Sequence, residues 1–133
     1  HIGVSNFTGA ELARARRVVK VVSVQNRCNV ADRSSDGVLA ACERDGIAFI
    51  PWSPLARSPR EPSEGARARL AAWATRRGVS LTQAAIAWLL ARSTVMLPIP
   101  GTASLEHLEE NFAAASLRLT PADLAEIDGT EQA

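Results

Sequence analysis

Leu97-Pro98-Ile99-Pro100-Gly101-Thr102, followed by Ser104-Leu105-Glu106-His107-Leu108-Glu109-Glu110-Asn111, is the stretch on which the reading of this 133-residue chain turns. It reads as a short buried strand, a glycine-containing turn and a helix. The first N–H groups of a helix have no internal partner, and the helix dipole favours negative charge there. A phosphate is the natural guest of such a corner. Gly101 lets a ligand approach the backbone closely. The same residues also suit an ordinary strand–turn–helix corner with no ligand, so the rest of the chain has to decide.

Outward from this corner the strand–helix unit repeats four times. Residues 2–5, 21–25, 47–50 and 95–99 form short apolar strands. Thr8 opens the first helix with a capping box to Glu11, and Phe7 staples to Leu12. A helix over 38–44 is closed by Gly46. The stretch 51–65 is the longest expected loop. Helices follow over 66–77 and from Ser80, which forms a second capping box with Gln83. Leu105, Leu108 and Phe112 line one face of the helix after the fourth strand. Thr120 caps the last helix, with Pro121 at its first position and Leu119 stapling to Leu124.

Composition bounds the function. A formal net charge of +1 gives no reason to expect nucleic acid or an anionic membrane as partner. No apolar run is long enough to span a bilayer, and no signal peptide is visible. Cys28 and Cys42 lack metal-ligand spacing, so no metal is expected and a reduced, cytoplasmic setting is the simplest one. The chain starts at His1 and enters a strand at once, which suggests a partial domain over 1–133.

Continuously apolar strands alternating with helices imply an α/β fold with a parallel sheet. A small doubly wound sheet and half of an eight-stranded (β/α) barrel both satisfy the pattern. In either, ligands sit at the C-terminal ends of the strands. The polar residues fall there: Ser5 and Asn6, Gln25, Trp52 and Ser53, Gly101 and Thr102. Ser, Asn and Gln supply the paired donors and acceptors that an amide-bearing ligand needs. Trp52 supplies a face for a planar ring. Taken singly, each has a bland explanation: a turn residue, a satisfied polar group, a core tryptophan. Trp73 and Trp88 lie among apolar partners at helical spacing and are assigned to packing.

Four segments in register, Ile2-Gly3-Val4-Ser5-Asn6-Phe7, Val24-Gln25-Asn26-Arg27-Cys28-Asn29, Phe49-Ile50-Pro51-Trp52-Ser53-Pro54-Leu55-Ala56 and the 97–111 stretch, resemble the C-terminal half of an aldo-keto reductase. The resemblance runs from Ile2 to about Asp128. It selects the half barrel: four β/α units plus a C-terminal helix. It also implies an NAD(P)H-dependent reductase of aldehydes or ketones, with NADP(H), or NAD(H), as cofactor. By the same resemblance Ser5, Asn6 and Gln25 hold the carboxamide, and Trp52 stacks on the nicotinamide where many members have Tyr. Ser53 and Leu55 lie along the pyrophosphate, Gly101 and Thr102 by the adenosine phosphate, and Glu110 and Asn111 at the adenine. His107 stands where many members place an Arg for the 2′-phosphate, although an exposed helix residue is an equal reading of it.

The resemblance also says what to miss. The family's proton-donating Tyr, with its Lys, Asp and His helpers, belongs to the N-terminal half. This chain has no tyrosine, and Lys20 is its one lysine. No catalytic residue is assigned, and His1 is taken as non-catalytic. The expected partners are a small carbonyl substrate in the full-length protein, and the N-terminal half or a second copy against an apolar inner sheet face. A nucleotide-binding or regulatory module without chemistry is the alternative.

Overall fold

Residues 1–56 and 63–130 are described by the computed structural model. Three parallel strands form the sheet: β1 (Ile2–Ser5), β2 (Val21–Arg27) and β3 (Ala48–Trp52), in the order β1-β2-β3. Each strand pairs only with its neighbours in sequence. A doubly wound sheet needs a reversal of strand order to fill both faces. The sequential order seen here is that of an arc of a barrel, and right-handed crossovers place the intervening helices on one side.

The fourth unit differs from expectation. Residues 95–99 do not form a strand, and only Met96 bridges to Phe49. Phe49 N–H donates to Val95 O and Leu97 N–H donates to Phe49 O, each at 2.8 Å. The next rung would need an N–H from Pro51, which has none, so the ladder stops after one bridge. Among the described residues there are six α-helices, α1 (Gly9–Ala15), α2 (Asp36–Asp45), α3 (Glu64–Arg77), α4 (Leu81–Arg92), α5 (Leu105–Ala113) and α6 (Pro121–Asp128), and a 3-10 turn at Ala114–Ser116. Of the expected 51–65 loop, 57–62 lie outside the described residues.

Local chemistry explains where the helices start. Thr8, Ser80 and Thr120 each accept from the backbone of the third helical residue, and Glu11, Gln83 and Asp123 return the bond. A cap of this kind is worth about 1 kcal/mol. Left-handed glycines end α2, α3 and α6. Arg33 and Arg92 pair with both Asp36 and Asp128, tying α2 and α4 to the end of α6.

The two faces of the sheet differ. Val24 and Phe49 are wholly buried, in register with each other and with the half-buried Val4, under the helices. Alternation puts Ser5, Gln25 and Ile50 in one row of the opposite face, and Arg27 and Trp52 in the next. That face is only partly covered. It is more polar than the apolar inner face expected from sequence. The exposed apolar side chains lie elsewhere, mostly on and before α5: Leu97, Leu105, Leu108 and Phe112.

Candidate functional site

Four of the expected residues come together near the C-terminal ends of the strands, although β2 runs on to Arg27, so Gln25 lies two residues inside it and not at its end as expected. Asn6 leaves β1 in the left-handed conformation, φ 58°, which asparagine tolerates better than most residues. Its N–H donates to Gln25 O at 3.0 Å, and the Ser5 hydroxyl donates to the same carbonyl at 3.0 Å. From β3, the indole N–H of Trp52 reaches over β2 and donates to Asn6 Oδ1 at 2.9 Å. Ser5, Asn6, Gln25 and Trp52 are thus linked by hydrogen bonds and strand register.

Two side-chain amides of this group keep uncommitted donors. Among the described residues, Gln25 makes no side-chain hydrogen bond, and Asn6 commits only its Oδ1. A carboxamide, with one acceptor and one donor group, suits this set. The Trp52 ring, half-buried, offers an aromatic face beside it. The residues present therefore fit a nicotinamide.

Two asparagines hold the floor of the site. Asn26, buried beneath the sheet ends, accepts from Phe7 N–H at 3.1 Å and donates to Phe7 O at 2.8 Å. Asn29 donates to Ser53 O at 2.9 Å and accepts from the N–H groups of Ala31 and Asp32, both at 2.9 Å. Ser53 and Ala56 both take left-handed φ values, 53° and 49°. A non-glycine residue held there costs of order 1–3 kcal/mol unless its surroundings determine it. Asn29 supplies part of that determination at Ser53. Leu55 packs half-buried against the core, so it contributes backbone more than side chain to this edge.

Sequence reasoning missed Arg27. Its guanidinium lies over the Trp52 ring, 5.4 Å from the centroid, and its Nε is 3.1 Å from Asp32 Oδ2. The signal was there in principle: both residues end parallel strands. It needed the β2–β3 register, which pairs Arg27 with Trp52.

The second expected group stands apart. Gly101, Thr102 and His107 are exposed, and Glu110 and Asn111 half-buried. Ser104 caps α5 and accepts from His107 N–H at 3.4 Å, while Thr102 Oγ1 accepts from Ser104 N–H at 3.1 Å. α5 carries His107 where α1, α4 and α6 carry the side chain that closes a capping box. Gly101 has no left-handed φ, and a Cβ built there meets nothing within 4 Å. The chain itself therefore does not demand glycine at this position. Asn111 lines an apolar groove of about 440 Å³ with Leu90, Leu97, Leu108 and Phe112, and its Oδ1 is buried without a hydrogen bond. Among the described residues no hydrogen bond or ion pair links the side chains of the two groups.

Both cysteines are buried, and burial pushes each thiol up to about 11. Neither is a nucleophile at neutral pH. Among the described residues no three His, Cys, Asp or Glu side chains gather as a metal site, and no helix is long and apolar enough to cross a membrane.

Comparison with known proteins identifies the family and the fold. The family model "Aldo/keto reductase family" covers residues 1–132. The chain is 42% identical to pyridoxine 4-dehydrogenase of Escherichia coli K12 over 130 residues, 97% of this chain and 44% of that protein. A thermostable aldo-keto reductase crystallised with the inhibitor epalrestat superposes with a TM-score of 0.86 at 32% identity, over 97% of this chain and 47% of that one. An aldo/keto reductase from Klebsiella pneumoniae in complex with NADP and acetate gives a TM-score of 0.84 at 26% identity, over 96% and 47%. The chain thus spans under half the length of the relatives it matches.

Proposed function

Because this chain belongs to the aldo/keto reductase family, we propose that it is the cofactor-binding portion of an NADP(H)-dependent carbonyl reductase. Ser5, Asn6 and Gln25 bind the nicotinamide carboxamide, and Trp52 stacks on the ring. When bound, the reduced dinucleotide supplies the hydride that reduces an aldehyde or ketone. The observation that carries this reading is the convergence of three amide-matching side chains and one aromatic face near the ends of adjacent strands, with Trp52 tied to Asn6.

The Gly101–Asn111 corner takes the adenosine half. The start of α5 offers unpaired N–H groups to a phosphate, and Gly101 leaves open space beside the backbone. Ser53 and Leu55 border the pyrophosphate, Glu110 and Asn111 the adenine, and His107 the 2′-phosphate. A glutamate in the first turn, Glu106, opposes added negative charge there. The preference for NADP over NAD is therefore modest.

The family's proton-donating tyrosine has no counterpart here, because the chain contains no tyrosine. Proton transfer and the carbonyl pocket belong to the N-terminal half of the barrel; a second copy would cover the open sheet edges but brings no tyrosine of its own. A nucleotide-binding module without chemistry is the second reading, favoured by the same lack of a tyrosine.

Titration of the intact protein with NADPH, NADP⁺ and NADH tests the proposal. Binding should weaken at least tenfold on Gln25→Ala. His107→Arg should strengthen NADP(H) selectively, through a bidentate contact. Absence of dinucleotide binding would overturn the reading. An unchanged NADP/NAD ratio in His107→Arg and His107→Ala would remove His107 from the site.

A further inference from the structure

Trp52 presents two faces, and one already carries a cation. The Arg27 guanidinium stands 5.4 Å from the ring centroid, close enough for a cation–π contact. β-Sheet register fixes the pairing, because Arg27 and Trp52 are directly opposite on β2 and β3. The indole cannot turn away, since its N–H is held by Asn6 Oδ1. The Arg27 side chain is 26% exposed and Asp32 is 15% exposed, so their charges are only partly screened by solvent.

We propose that Arg27 makes this site discriminate between the two redox states of the cofactor, favouring the reduced form. The inference rests on the reading of Trp52 as the nicotinamide platform. The oxidised nicotinamide ring is a cation and the reduced ring is neutral. With one indole face taken by the guanidinium, the nicotinamide stacks on the other. A stacked ring lies ~3.5 Å beyond the indole plane, which puts two positive charges about 9 Å apart across a single aromatic ring. The guanidinium also draws on the same π density that would attract the oxidised ring. Both effects raise the cost of the oxidised form alone. Asp32, 3.1 Å from Arg27 Nε, offsets part of the charge and sets how large the discrimination is.

The two charges give a test with opposite signs. Dissociation constants for NADP⁺ and NADPH are measured by calorimetry on the intact protein and on Arg27→Met, Arg27→Lys and Asp32→Asn. Arg27→Met should shift the ratio of the two constants toward the oxidised form by about threefold to tenfold, the size expected for charges this far apart at a partly exposed site. Arg27→Lys should keep most of the original ratio. Asp32→Asn, which preserves shape, should shift the ratio toward the reduced form. A purely structural role for Arg27 would weaken both forms alike. Variants that bind both forms with an unchanged ratio overturn this inference and leave the cofactor reading intact. Failure of the unsubstituted protein to bind either form overturns the cofactor reading, and this inference with it.

Discussion

The indole N–H of Trp52 and the side-chain oxygen of Asn6 are 2.9 Å apart, and their hydrogen bond spans the sheet from β3 to β1 over the end of β2. Its first effect is on Asn6. With Oδ1 engaged, the amide cannot flip, and its Nδ2 is the group left for a ligand. Its second effect is on Trp52, whose ring plane is set by a residue forty-six positions away.

Removing that bond should weaken the site without removing the platform. Trp52→Phe keeps an aromatic face but loses the N–H, and dinucleotide affinity should fall about threefold to tenfold, the worth of one ordinary hydrogen bond. Trp52→Ala should lose more. Calorimetric titration checks both, and equal affinity of Trp52→Phe and the parent would show that the Asn6 clamp contributes nothing.

Gly101 offers a contrast between fold and ligand. Alanine there has room and no left-handed φ to adopt, so thermal stability should stay within about 0.5 kcal/mol or rise slightly. Dinucleotide affinity should drop several-fold if a phosphate approaches the backbone. Gly129→Ala is the control. It sits at φ +71°, with Arg69 Cζ 2.8 Å from a built Cβ, and should lose 1 kcal/mol or more with thermal melting as readout.

Asp123 is held well below its ordinary range. Burial pushes its carboxyl up, but the Trp73 indole N–H, the backbone N–H and hydroxyl of Thr120, and Arg77 outweigh burial and bring it to about 2 from 3.8. A lowered folded value stabilises above the unfolded value and loses that contribution as pH falls through the folded one. The charge should therefore contribute about 2 kcal/mol above pH 4, fading as pH drops toward 2. Asp123→Asn should be less stable than the parent in urea at pH 7, with the gap closing near pH 2. A gap independent of pH would assign the loss to packing instead.

Cys28 and Cys42 should resist thiol reagents at pH 8 while the protein is folded, because both are buried and both thiols lie near 11. Mass spectrometry should find two labels after unfolding and none before. Rapid labelling of the folded protein would show that the helices over the sheet open far more often than their burial implies.

What was legible in the sequence was local. The capping boxes at Thr8, Ser80 and Thr120 depend on residues three apart, and all three form. The strand-end positions of Ser5, Asn6 and Trp52 followed from apolar runs and from a resemblance to the family, whereas Gln25, expected to end its strand, lies two residues inside β2. Relationships across strands were not legible. Arg27 over Trp52 and Trp52 on Asn6 depend on parallel register, which no periodicity within one strand reveals. The fourth strand was overread, since Val95 and its neighbours are apolar enough for a strand. The limit came from Pro51 on the adjacent strand, which has no N–H to give. Trp73, assigned to packing alone, also donates to Asp123 at 2.8 Å and fastens α6 to α3.

The sequential strand order also sets the cost of assembling the sheet. β2 has a partner on either side, each roughly 20 to 25 residues away along the chain, so both closures draw on loops of similar length. The bridge from Phe49 to Met96 closes a loop about twice as long. Loop closure grows only with the logarithm of length, so this longer step adds well under 1 kcal/mol of chain entropy. The weakness of the last edge is therefore not a matter of distance along the chain. It comes from a single missing donor, which leaves the Phe49–Met96 bridge as the whole of the pairing on that side of the sheet.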